Sequence, residues 1–195
     1  MNTQKRIRIE RDETPMHPRK DMDNLGTMVC WHGRYNLGDE QPKCRPEEFR
    51  SELPKDIIEL PLFLYDHSGI TMNTTGFHCP WDSGQVGFIY VTREKVREEF
   101  GWKRITKARE KQILGYLKGE VETYDQLLTG DVYGFIVEER PAAVFDAEGE
   151  PVDVDDDELW EETNSCWGFF GDDPFKNGIS DHIEEDLRPL LKEAA

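Results

Sequence analysis

The period of the apolar positions changes along this chain, and each change marks an element. Residues 5–10 alternate, Ile7 and Ile9 against Arg6, Arg8 and Glu10, which is the two-residue period of a half-buried strand. Residues 14–20 carry Pro15 and Pro18 and read as a loop. Residues 26–32 predict a short strand, followed by a polar loop through Asn36, Gly38 and Pro42. Pro46 followed by Glu47 and Glu48 suits a first helical turn, because proline tolerates that position and acids complement the positive end of the helix dipole. That helix should stop near Pro54. Residues 56–66 and 70–73 read as strands, 76–84 as a loop, and 86–91 as a further strand.

Beyond Thr92 the period lengthens. Thr92 can cap a helix running to Phe100, with Val96 and Phe100 on one face. In residues 105–128 the positions Ile113, Leu117, Val121, Tyr124 and Leu128 step by three and four, the spacing of a buried helical stripe. Gly115 and Gly119 could bend that helix, and Gly130 should close it. Residues 132–138, 142–146 and 163–170 read as strands, with Trp167 and Phe169 or Phe170 expected in the core. A turn is expected at residues 148–151. Residues 179–191 predict a terminal amphipathic helix on Ile179, Ile183, Leu187 and Leu190, kinked or ended by Pro189. Hairpin-length connections interrupted by a few helices imply an α+β fold. The expectation is an antiparallel β-sheet packed with two to four helices in a single compact domain spanning 1–195, of which 150–195 is an acidic region.

Composition narrows the class. A chain of 195 residues that is 36% hydrophobic can bury a core without disulfides or metal. Its longest apolar run, around residues 60–65, is far below the roughly 20 residues that span a bilayer. The basic N-terminus has no apolar segment behind it and is not a secretory signal, so a cytoplasmic location is expected. Cys30, Cys44, Cys79 and Cys166 are widely spaced and expected to stay reduced.

Charge changes the picture most. The net charge is −17. Residues 1–50 hold ten bases and nine acids, whereas the last 45 residues hold fourteen acids against Lys176, Arg188 and Lys192. Residues 101–118 run the other way, with Lys103, Arg104, Lys107, Arg109, Lys111 and Lys118 against Glu110. Eleven lysines argue against a salt-adapted surface.

Candidate chemistry is sparse. Cys30 and His32 lie two apart on a strand and, with His78, Cys79 and Cys44, could form a zinc shell, but the spacing matches no paired zinc motif. Asp153, Asp155 and Asp157 match the start of a calcium loop, yet Glu158 replaces its glycine and Asn164 its final glutamate. No metal site and no cofactor are therefore assigned. Asp66, His67, Ser68 and Cys79 are the nearest material for nucleophilic catalysis, and no recognised catalytic or phosphate-binding motif accompanies them. Lys103, Arg104, Lys107 and Lys111 could touch phosphates with Trp102 stacking on a base, although the net charge opposes direct nucleic-acid binding. The acidic region suggests the opposite role, in which carboxylates imitate phosphates and occupy the basic channel of a nucleic-acid-binding protein. The residues expected to meet such a partner are Asp153, Asp155, Asp156, Asp157, Glu158, Trp160, Glu161, Glu162, Asp172 and Asp173.

The strings DNLGTMVCWHGRYNLGDEQP, LPLFLYDHSGITMNTT, CPWDSGQVGFIYVT, KGEVETYDQLLTGDVYGFIVE and SCWGFFGDD, which together cover most of residues 23–173, resemble uncharacterised proteins encoded by bacteriophages and other mobile elements. Where His78 stands, that family has a small polar residue, which weakens the His78–Cys79 metal reading. The family has no agreed activity, so the resemblance assigns no residue. It implies an accessory protein working inside a bacterial host cell, of a kind that often blocks host defence, sometimes by acidic mimicry of nucleic acid. The expected function is non-catalytic inhibition of a host nucleic-acid-targeting defence protein, of the anti-restriction or anti-CRISPR type. The alternatives are a small enzyme or zinc protein using Asp66, His67 and Cys79, or a nucleic-acid-associated protein using 101–118. A homodimer is compatible with any of them.

Overall fold

The computed structural model describes residues 3–145, 151–152 and 159–194. In chain order its elements are β1 (Thr3–Arg11), α1 (Pro18–Asp21), β2 (Thr27–Cys30), α2 (Pro46–Glu52), β3 (Ile57–Asp66), β4 (Ile70–Asn73), β5 (Ser83–Thr92), α3 (Arg93–Phe100), α4 (Lys107–Thr129), β6 (Val132–Pro141), β7 (Val144–Phe145), β8 (Pro151–Val152), β9 (Glu161–Phe170), α5 (Ile179–His182), a 3₁₀ turn at Arg188–Leu190 and α6 (Leu191–Ala194). Every ladder between these strands is antiparallel, and the fold is α+β. The chain divides into two compact units, one from residues 16–129 and one from 1–15 with 130–195.

In the unit of residues 16–129 the strands lie in the order β2-β5-β3-β4. The α4 stripe predicted from spacing is real: Ile113, Leu117, Val121 and Tyr124 are all buried, packed with Met28, Leu62, Leu64, Met72 and Ile89. Burial of each such side chain contributes about 1.5–3 kcal/mol. Thr92 caps α3 by accepting from the Lys95 amide, and Gly101 and Gly130 take the left-handed conformation that follows each helix. Gly115 and Gly119 leave α4 continuous. Gly87 is required by crowding, since a Cβ there would lie 1.9 Å from the Val29 carbonyl oxygen of β2.

Both edges of this sheet are closed by side chains and loops. On β4 the Met72 amide and Thr71 hydroxyl donate to Asp125 Oδ1 at 2.6 and 2.8 Å. On β2 the Met28 amide donates to Asp39 Oδ2 at 2.7 Å, and the Cys30 amide to the Glu40 carbonyl at 2.9 Å. Such capping removes the template that an open edge offers to a stray strand. Residues 18–21, expected as loop, form a helical turn because His17 accepts from the Arg19 amide and Pro18 suits the first position. That turn delivers Arg19 into the interior, where its side chain is 1% exposed. Its guanidinium donates to Asp39 Oδ1 and Oδ2, Asn24 Oδ1, Glu120 Oε2 and the Gly26 carbonyl, so all five N–H groups are used. Glu120 also accepts from the Leu25 and Gly26 amides, which pins the entry to β2 onto α4.

In the other unit the strands lie in the order β1-β6-β9. One face carries Ile7, Phe135, Val137 and Phe169, covered by Ile179, Ile183, Leu187 and Leu191. Two sequence expectations fail here. The terminal helix is broken into α5, the 3₁₀ turn and α6, because Ile183 is extended (φ −94°, ψ 135°) and Pro189 follows. Its apolar positions still reach the core, so the stripe was right and the continuity wrong. Trp167 is 43% exposed rather than core, since its ring lies across Gly134, where a Cβ would stand 2.2 Å from it. The expected turn at 148–151 falls mostly outside the described residues.

Candidate functional site

The acids are concentrated in the unit formed by residues 1–15 and 130–195. These segments contain 23 acids and 8 bases, net −15, whereas residues 16–129 contain 18 acids and 16 bases, net −2. Nearly all of the protein's charge therefore belongs to one of its two units. Asp153, Asp155, Asp156, Asp157 and Glu158 lie outside the described residues.

The other residues expected at the surface can be followed. Glu161 and Glu162 begin β9, an edge strand, are exposed, and stand opposite Glu139 and Glu138 of β6. The register thus sets two acid pairs at one end of the sheet, one on each face. Glu138 is met by Arg6 at 2.6 Å and Arg8 at 3.7 Å. Glu162 accepts from the Ser165 hydroxyl at 2.7 Å and projects outward. Trp160, expected as an apolar anchor, has the Arg6 and Arg140 guanidinium carbons 4.3 and 4.6 Å from its ring centre, so the protein's own cations hold it in place. Asp172 is exposed. Asp173 works locally: hydrogen bonds from Lys176 Nζ (2.5 Å) and the Phe175 amide (3.0 Å) hold its carboxyl below the usual range. Glu184, Glu185 and Asp186 add three exposed acids between α5 and the 3₁₀ turn.

A second group lies at one end of the β2-β5-β3-β4 sheet, where the β3–β4 and β4–β5 connections meet. His67 Nδ1 is 3.3 Å from Asp82 Oδ2, and the Cys79 thiol donates to the same oxygen at 3.7 Å. The structure thus brings His67 and Cys79 together through Asp82, which sequence reasoning passed over. Its only signal was a polar Cys-Pro-Trp-Asp-Ser-Gly string set between apolar strands. The order is wrong for nucleophilic catalysis, which needs the imidazole between thiol and carboxylate. Asp66 turns elsewhere, accepting from Tyr35 Oη at 3.4 Å with Arg34 at 3.8 Å. Its own amide donates to the Asp82 carbonyl at 2.8 Å, tying the two loops together.

The zinc shell is not assembled. Cys30 is buried in the core, and burial pushes its thiol up to about 12, the reverse of what a thiolate ligand needs. His32 spends Nδ1 on the Arg34 and Tyr35 amides and stacks on Tyr35 at 5.2 Å. Among the described residues no group of three or more His, Cys, Asp or Glu side chains is placed to hold a metal. The basic segment also changes meaning. Lys103, Arg104, Lys107 and Lys111 are exposed, but Trp102 is stacked on Phe100 at 4.6 Å with the Arg109 guanidinium 4.6 Å from its ring. Trp102 serves the α3–α4 junction. None of the helices described is long and apolar enough to cross a membrane. Compared with models of protein families, with curated proteins and with solved structures, the chain matches none of them.

Proposed function

We propose that this protein is a non-catalytic acidic accessory protein that binds the basic nucleic-acid channel of a host defence protein and blocks it. The observation that carries the reading is the partition of charge: net −15 on one unit against −2 on the other. Repulsion between like charges makes such a concentration a cost to folding, and a positively lined groove is the surface that would offset it. Exposed acids on a β-sheet edge present fixed negative points, and a partner that meets them releases its counterions as it would on DNA. The class of partner, restriction or CRISPR effector, rests on the resemblance to mobile-element proteins and on this charge.

The test is capture from bacterial lysate by the wild-type chain and by a variant with Asp155, Asp156 and Asp157 changed to Asn and Glu158, Glu161 and Glu162 changed to Gln. The reading expects a nucleic-acid-binding protein that the variant fails to hold and that duplex DNA displaces from the wild type. Equal capture by both proteins would overturn it. The small-enzyme alternative is favoured by one observation, the meeting of His67 and Cys79 on Asp82. It would prevail if His67→Ala lost the biological effect while the charge-neutralised protein kept it.

A further inference from the structure

Three segments of the unit spanning residues 16–129 line an open pocket of about 670 Å³, which includes no residue of the acidic unit or of the His67–Asp82–Cys79 group. Leu25 comes from the connection into β2, Phe100 from the end of α3 and Tyr116 from α4, and the lining is more apolar than polar. The rings of Phe100 and Tyr116 are almost parallel, 7° apart in plane with centres 5.8 Å apart, and Phe100 stacks on Trp102 at 4.6 Å. Gln112 donates to Tyr116 Oη at 2.7 Å, so this ring is held in place although the residue is 45% exposed. Two cross-links fix the walls. Lys95 of α3 donates to the Asn24 carbonyl at 3.0 Å, and Glu120 of α4 accepts from the Leu25 amide at 2.8 Å. A pocket tied in this way is formed before any ligand arrives, and its volume lies within the roughly 300–1,000 Å³ of small-molecule sites.

We infer that this pocket binds a small organic cation, an amine or guanidinium carried on a short apolar body. The polar groups of the lining select the sign of the ligand. Asn24 spends its side chain on Arg19 and on the Pro18 and Met22 carbonyls. Glu120 is taken by Arg19 and by the Leu25 and Gly26 amides. Lys95, the one cation of the lining, is held at the Asn24 carbonyl. Asp23 and Glu99 are exposed, and their carboxylates have no ion pair or hydrogen bond among the described residues. Glu99 and Phe100 also close α3, whose dipole sets its negative end at the same rim. An ammonium in the pocket gains these carboxylates and the negative faces of the aromatic rings. An anion is repelled by the same groups, and a neutral ligand gains only the apolar wall. The lining belongs wholly to the unit of net charge −2, so a ligand here and a basic partner on the acidic unit are independent events.

Amide NMR of the full isotope-labelled chain tests this with three probes of similar size: phenethylamine, the neutral phenethyl alcohol and the anionic phenylacetate. Phenethylamine is expected to move the signals of Leu25, Phe100 and Tyr116 saturably, the alcohol to bind more weakly, and phenylacetate to leave them in place. Asp23→Asn combined with Glu99→Gln should bring the amine down to the affinity of the alcohol. Tyr116→Ala should weaken the amine by about two- to fivefold, the worth of one exposed cation–aromatic contact. These substitutions fall on exposed side chains, and circular dichroism checks that the variants fold. The acidic unit attracts any cation, so Glu161→Gln with Glu162→Gln is the control and should leave the shifts at Leu25, Phe100 and Tyr116 unchanged. Amine shifts confined to the acidic unit, equal affinity for amine and alcohol, or amine binding unmoved by the Asp23 and Glu99 substitutions would overturn the proposal.

Discussion

Arg19 shows how a single residue in this protein can look chemical and be structural. Its guanidinium uses every donor on Asp39, Asn24, Glu120 and Gly26, and two carboxylates share one buried cation. Removing one partner of such a group leaves the others desolvated and unpaired. Arg19→Ala should lower unfolding stability by about 3–5 kcal/mol, measured by urea denaturation. Tyr124 Oη accepts the Gly38 amide at 3.1 Å, so Tyr124→Phe strands a donor and should cost about 1–3 kcal/mol in the same assay. His17 supplies a pH signature. Burial is the main cause that lowers its pKa from 6.5, followed by Lys20, and its neutral Nδ1 caps α1 by accepting from the Arg19 amide. The unfolded chain therefore binds the proton more readily. Stability contributed by the neutral ring is complete above the unfolded value and is lost as pH falls through 6.5 towards the lower folded value. Urea midpoints measured across that window should fall with pH in the wild type and fall less in His17→Asn, which keeps a capping acceptor that does not titrate. Cys30, with its thiol pushed up to about 12 and no exposure, should resist alkylation at neutral pH until the protein unfolds.

At the scale of elements, the strands and α4 were legible because their periods are long and unbroken, as in Ile113–Leu117–Val121–Tyr124. The residues 70–73 and the Thr92 cap also fell where local chemistry put them. What failed depended on distant contacts. The terminal stripe is real but is carried by α5, a 3₁₀ turn and α6, and no periodicity reveals an extended Ile183. Trp167 is outward because Gly134, thirty-three residues away, leaves room for its ring on the sheet surface. The candidate site was less legible than the fold. Glu120, Tyr124 and Asp125 lie close together on α4 and look like site material, yet each is consumed by a structural hydrogen bond. Asp82 joins His67 and Cys79 across a loop, a proximity that only the sheet creates. The same contacts sort the glycines. Gly134→Ala drives a methyl into Trp167 and should destabilise by about 1–3 kcal/mol. Gly115→Ala and Gly119→Ala meet open space on α4 and should each stabilise by about 0.4–1 kcal/mol, seen as a raised urea midpoint.

For the whole molecule the organising fact is the uneven charge, net −15 on one unit and −2 on the other. Trp160 between Arg6 and Arg140, and Glu138 with Arg6 and Arg8, show that the acidic unit spends several of its own cations on internal order. Lys176 is likewise engaged by Asp173. Among the described residues of this unit Glu161, Glu162, Asp172, Glu184, Glu185 and Asp186 are exposed, and an external cation would meet a strong negative field. The most direct measurement is the dissociation constant for the captured partner as a function of salt, wild type against the sixfold neutralised variant. An acidic binding surface requires that wild-type affinity fall steeply and linearly on logarithmic axes as salt rises. The variant should bind more weakly and with a shallower slope. Affinity that is flat with salt, or identical slopes for the two proteins, would contradict it.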